Sequence, residues 1–175
     1  VLTSRWHPQE IWRLDRELFR LAAALQFAAL GVPVIYYGEE VGRAGGDWPE
    51  NRGDMPWGDR AIRPGQGLAR DETLRQAYRS WIAVRRAHPA LWRGAYESLS
   101  SNGDLLVFRR RDAQSGDEVV VAVNRGAQPA TASFAWSGAS APADLESGVA
   151  VGVAQGIAAV EIPPRAARFF GLDRD

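Results

Sequence analysis

Residues 21–37, Leu-Ala-Ala-Ala-Leu-Gln-Phe-Ala-Ala-Leu-Gly-Val-Pro-Val-Ile-Tyr-Tyr, change character at Gly31. Upstream of it, Ile11, Leu14, Leu18, Leu21, Ala22, Leu25 and Ala29 recur every three or four positions, the period of a helix with one apolar face. Pro8 suits a first-turn position and Gly31 a stop. Downstream, residues 32–37 form an unbroken apolar run of β-branched and aromatic side chains, the pattern of a parallel strand buried on both faces. A helix running directly into such a strand predicts α/β architecture. The same stretch is too short for a bilayer span, which takes about 20 apolar residues, and Gly31 and Pro33 interrupt it.

Working outward, residues 38–70 are rich in Gly, Pro, Asp, Asn and Trp and lack periodicity. Structureless segments of this length are mostly functional or disordered. Trp48, Met55 and Trp57 argue for an ordered, functional loop after a strand end. Asp71 then fits an N-cap for a helix whose stripe is Leu74, Ala77, Tyr78, Trp81, Ile82 and Val84. The helix should end near His88, because Pro89 disfavours α conformation in the residue before it. From about Gly94 the pattern becomes short runs separated by turn residues, at 105–108, 118–123, 131–136, 158–162 and 167–170. Hairpin turns are predicted at Ser101-Asn-Gly-Asp104 and Ser115-Gly-Asp117. That spacing points to an antiparallel sandwich or barrel. The chain therefore divides into 1–93, α/β, and 94–175, all-β.

Composition narrows the partners. The 175 residues are 46% hydrophobic, with 21 basic side chains against 21 acidic ones, scattered rather than in blocks. Neither a nucleic acid nor an anionic membrane is indicated, and a neutral ligand such as a sugar fits better. The lack of cysteine excludes disulfides and thiolate metal sites without fixing a compartment, so localisation stays open. His7 and His88 have no second ligand at metal spacing, and no metal site is expected. Asp104, Asp112 and Asp117 fall at turns, where such side chains bond their own backbone, leaving calcium there a weak reading. Residues 1–6 lack signal-peptide features and read as the middle of a longer protein.

Gly31-Val-Pro-Val-Ile-Tyr-Tyr-Gly-Glu-Glu40 resembles the last barrel strand and following loop of the α-amylase family, glycoside hydrolase family 13. Three further stretches extend the match: Gly45-Gly-Asp-Trp-Pro-Glu-Asn-Arg52, Asp54-Met-Pro-Trp57, and Trp81-Ile-Ala-Val-Arg-Arg-Ala-His-Pro-Ala-Leu91. Val119-Val-Val-Ala-Val-Asn-Arg125 and Ile162-Pro-Pro-Arg-Ala-Ala-Arg-Phe-Phe170 are similar to the family's C-terminal domain. The resemblance implies the terminal helix-strand-helix portion of a (β/α)8 TIM barrel, followed by an antiparallel Greek-key β-sandwich. It implies a retaining enzyme acting on starch- or maltodextrin-like α-glucans, with calcium admissible in the full-length protein. The family's catalytic carboxylates belong to earlier strands, so no catalytic residue is expected in this chain and the chain alone should be inactive.

Within the loop, Arg52 aligns with an arginine that relatives use at a sugar subsite, and its forked donors suit hydroxyl groups. The alternative is a structural ion pair with Asp47 or Asp54. Relatives often carry Asp directly before the proline; here Trp48 stands there and Asp47 one place earlier. Trp48 would either stack on a sugar ring or pack beneath the loop. Gly38 and Glu40 are read as structural at the strand end. Glu39 and Glu40 look like a carboxylate pair, but neighbours on an extended chain point to opposite faces and cannot straddle one bond. Tyr36 and Tyr37 are expected to pack, one into the barrel and one toward its helices. Two rival readings remain: a carbohydrate-binding or structural module, and a non-catalytic partner subunit. A lone parallel strand leaves backbone groups unpaired, so residues 1–93 should need company, either a missing N-terminal barrel segment or self-association.

Overall fold

The computed structural model describes residues 16–43, 48–49, 52–58 and 70–172. The expected helix start at Pro8, and His7 before it, lie outside these residues. Helix α1 is Arg16–Ala28 and α2 is Glu72–Ala87, the latter capped by Asp71, whose side chain accepts a 2.8 Å hydrogen bond from Leu74 N. The predicted stripe of α2 is buried at Leu74, Ala77, Tyr78, Trp81 and Val84. A short helix α3, Pro89–Arg93, follows at once, with proline at its start. Among the described residues there are eight strands: β1 Ala95–Asn102, β2 Leu105–Arg111, β3 Glu118–Asn124, β4 Ala130–Ala135, β5 Ala143–Asp144, β6 Val153–Ala154, β7 Ile157–Ile162 and β8 Ala166–Gly171. Among the described residues they form two sheets, ordered β1-β2-β3-β8-β5 and β4-β7-β6, and every ladder is antiparallel.

Period-two alternation explains how the layers stack. Phe108, Val119, Val121, Val123 and Phe169 turn one face of the five-stranded sheet toward Phe19, Phe27, Tyr78, Trp81 and Leu91 of the helices. Val107, Val120, Ala122 and Phe170 turn the other face toward Phe134, Trp136, Ala158 and Ile162. Strand β3 is therefore buried on both sides, which is why Val119-Val-Val-Ala-Val reads as a continuous apolar run instead of alternating. Complete burial of each such valine contributes about 1.5–3 kcal/mol. The helical core continues without a break across residues 93 and 94.

Two charged side chains join the layers. Arg85 donates to the carbonyls of Phe27 (2.6 Å), Ala29 (3.3 Å) and Gly31 (2.6 Å), satisfying acceptors that the end of α1 leaves open. Arg110, fully buried on β2, donates to Ala28 O (2.7 Å) and Gly94 O (2.8 Å). Burial pushes both guanidinium groups below their ordinary value, and Arg85 adds to the effect on Arg110.

The strand expected over residues 32–37 is not part of any sheet here. Its side chains are not buried on both faces either: Val32 and Val34 are 88% and 70% exposed. The physical reason is that a parallel strand exists only beside a partner, and every ladder among the described residues is antiparallel. Gln26 Nε2 donates to Val34 O (2.8 Å), one of the contacts that hold the segment. Strand β1 escaped the reading because Ala95-Tyr-Glu-Ser-Leu-Ser-Ser-Asn102 has little apolar content; it is an edge strand, mostly exposed. The turn at 101–104 does close the β1-β2 hairpin, pairing Asn102 with Leu105 and putting Gly103 at φ 59°.

Candidate functional site

The loop after residue 37 starts with a tight turn. Gly38 has φ 87°, and a Cβ there would lie 2.8 Å from the Arg43 side chain, so only glycine fits. Arg43 N donates to Gly38 O (2.8 Å), and Glu40 Oε2 accepts from Gly38 N (2.9 Å). Residues Glu39–Val41 form one 3-10 turn, not the end of an extended strand. The two carboxylates diverge for that reason: Glu40 folds back on the turn, and Glu39 is buried. Desolvation pushes the Glu39 carboxyl up to about 7, against a lowering backbone bond at Tyr36, with Glu40 adding to the rise. Burial, then Glu39 and Glu40, push the Tyr78 hydroxyl up as well, which places the pair beside α2. Val41 O accepts from Asp71 N (2.9 Å), tying the turn to the cap of that helix.

The loop then folds back over the two tyrosines. Tyr37 Oη donates to Gly53 O (3.0 Å), and Arg43 Nε donates to Asp54 O (3.2 Å) with its guanidinium 5.3 Å from the Tyr37 ring centre. Arg52 Nη1 donates to Tyr36 Oη at 2.5 Å, and Arg52 N donates to Pro49 O at 2.9 Å. Trp48, next to Pro49, is 76% exposed and so is not packed beneath the loop. Asp47 lies outside the described residues. Arg52, Trp48 and the Tyr36-Tyr37 pair, whose ring centres are 4.9 Å apart, thus belong to one loop-and-turn assembly at the surface. It offers guanidinium donors and aromatic faces. Among the described residues it offers no two carboxylates flanking a common space, since Glu39 is buried and Glu40 accepts from Gly38 N.

Sequence reasoning missed a second polar cluster at the junction of helices and sheet. His88 and Asp117 are each 2% exposed, with Nδ1 and Oδ1 3.1 Å apart, and Asp117 Oδ2 accepts from Ala90 N (2.9 Å) at the start of α3. Asp117 is thus a buried clamp and not only a turn residue. Asp112 does serve its turn, accepting from Ser115 N (3.1 Å) and Ser115 Oγ (2.5 Å), and also from Arg93 Nη2 (2.7 Å). Arg93 first, then Ser115, hold its carboxyl well below the usual range. Asp104 pairs with Arg125 at the surface. Among the described residues no group of three or more His, Cys, Asp or Glu side chains is placed to hold a metal ion, and no helix is long and apolar enough to cross a membrane.

No family model matches the chain. It is 33% identical over 116 residues to an amylopullulanase of Thermoanaerobacter thermohydrosulfuricus, covering 61% of this chain and 7% of that protein. It is 34% identical over 112 residues to a cyclomaltodextrinase of Bacillus sp, covering 63% of this chain and 18% of that one. The crystal structure of Ttha1563 from Thermus thermophilus superposes with a TM-score of 0.75 at 30% identity, over 91% of this chain and 32% of that structure. The chain therefore spans less than a third of the length of each of these relatives. A helix-backed, two-sheet β-domain is the class that the fold and these likenesses define. These relatives, an amylopullulanase and a cyclomaltodextrinase, are glycoside hydrolases of the α-amylase family, the family that residues 31–40, 45–57 and 81–91 resemble.

Proposed function

We propose that this chain is the C-terminal portion of a retaining enzyme that hydrolyses or transfers α-glucosidic bonds in starch- or maltodextrin-like substrates. In this reading residues 1–93 complete a (β/α)8 barrel and residues 94–175 form a Greek-key C-terminal domain. The observation that carries it is Arg52, presented at the surface by Tyr36 Oη in the loop that follows residues 32–37. Barrel enzymes build their sites from loops after strands, and a guanidinium offers directed donors to sugar hydroxyls. Trp48 adds an exposed indole that can lie against a sugar ring. Asp47, Gly38 and Glu40 complete the assignment, the first as a further sugar contact and the other two as supports of the turn. The nucleophile and the acid/base belong to the polypeptide that precedes this chain.

The exposed apolar side chains at 32–37 support that reading, because parallel strands are stable only when covered on both faces. The partner that covers them is the preceding barrel segment; a second copy of the chain is the alternative. The decisive experiment assays maltodextrin cleavage and product anomeric configuration for the chain alone and for the chain joined to the polypeptide upstream. Retention by the joined protein, none by the chain, and about tenfold weaker substrate binding in Arg52→Ala are expected. Cleavage by the pure chain, or unchanged binding in Arg52→Ala, overturns the proposal.

A further inference from the structure

Away from that loop, α1, α2, the turn after β5 and strand β8 enclose a cleft of about 200 Å³ lined by Arg20, Trp81, Glu146, Arg165 and Arg168 together with Leu21 and small side chains of α1 and β8. Three arginines line it, one from α1 and two from the β7-β8 region. Arg20 projects from α1 with its guanidinium 6.0 Å from the Trp81 ring centre. Arg168, on β8, keeps its Nε 3.4 Å from Asp144 Oδ2. Arg165 sits in the β7-β8 connection at φ 50°, a left-handed conformation that costs a side-chain-bearing residue about 1–2 kcal/mol. Two bonds hold it there, from Arg165 N to Gly126 O (3.1 Å) and from Nη1 to Arg125 O (2.5 Å).

We propose that this cleft binds a phosphate-bearing ligand. Guanidinium forks match the tetrahedral oxygens of phosphate in bidentate fashion, and three of them exceed the two nearby carboxylates, Asp144 and Glu146. The volume suits a phosphate group and falls short of the roughly 300–1,000 Å³ of sites for larger ligands. A neutral sugar is disfavoured, because Trp81 is only 3% exposed and has no face to offer a ring. Glu146 tunes the site. Desolvation and Asp144 raise its carboxyl, opposed by Arg168, a Ser80 hydroxyl bond and Arg20, with Arg165 also lining the cleft. Protonated, it turns from a repelling charge into a hydrogen-bond donor toward the anion.

The inference is independent of the glucan reading and holds or fails without it. Inorganic phosphate, glucose 1-phosphate and maltose are titrated separately into the 175-residue chain by calorimetry. Phosphate and the sugar phosphate both bind, and maltose does not compete. Tighter binding of glucose 1-phosphate identifies a sugar phosphate as the ligand, and equal binding identifies free phosphate. Arg20→Gln, a surface change that leaves the thermal midpoint in place, weakens binding about tenfold or more, whereas Arg75→Gln leaves it unchanged. Sulfate, whose charge is constant, binds more tightly as pH falls, and Glu146→Gln removes that dependence. Failure of phosphate to bind, equal affinity in Arg20→Gln, or maltose binding in its place overturns the proposal; pH-independent sulfate binding removes the role of Glu146.

Discussion

Replacing Asp117 by alanine removes the acceptor that the structure gives to two buried donors, Ala90 N at 2.9 Å and the His88 ring nitrogen at 3.1 Å. Both side chains are 2% exposed, so the orphaned donors are shielded from bulk water. The two orphaned buried groups, at about 1–3 kcal/mol each, cost about 2–6 kcal/mol together. The His88 tautomer can relax to move its proton to the other nitrogen, which places the expected loss in the lower half of that range. With a urea slope of about 2 kcal/mol/M, the midpoint falls by about 1–2 M with the slope unchanged. Asp104→Ala is the control: its partner Arg125 is at the surface, and such a pair contributes about 0–1 kcal/mol. The double change Asp117→Ala with His88→Ala should cost less than the two single losses added together, because the second deletion removes a donor already orphaned. Equal midpoint shifts for Asp117→Ala and Asp104→Ala would refute the clamp.

Other outcomes follow from the same geometry. The Glu39 carboxyl titrates near 7 in the folded chain against an ordinary 4.5, so the folded state holds its proton more tightly than the unfolded chain. Its stabilising contribution is complete below the unfolded value and is lost as pH rises through about 7; urea midpoints measured from about pH 8 down to about pH 5 should climb, and Glu39→Gln should flatten that climb. Asp71→Ala removes the cap that Leu74 N uses and should lower stability by about 1 kcal/mol, read as a thermal shift. Arg85→Lys cannot reach three carbonyls at once and should cost about 1–3 kcal/mol, with faster hydrogen exchange confined to the end of α1.

The sequence by itself determined what depends on local pattern. Asp71, the period of Leu74 to Val84 and Pro89 placed α2, and period two with Gly103 and Gly116 placed β2, β3, β4, β7 and β8, because turn chemistry and side-chain alternation are properties of neighbouring residues. It also placed Gly38, Glu40, Trp48 and Arg52 in one loop. Only the tertiary structure decided the rest. Residues 32–37 have strand composition but no ladder, since a ladder needs a partner that composition does not supply. Strand β1 has little strand composition, yet pairs with β2 because the hairpin turn delivers it there. Asp117 looked like any turn aspartate until the chain brought His88 and the start of α3 against it, 27 residues or more away in sequence. Arg20, Arg165 and Arg168 likewise come from separate parts of the chain, α1 and the β7-β8 region, and only packing gathers them into one cleft. Helix caps and turns are local and can be read in order; buried pairs and clefts depend on which surfaces meet, which the order of residues does not state.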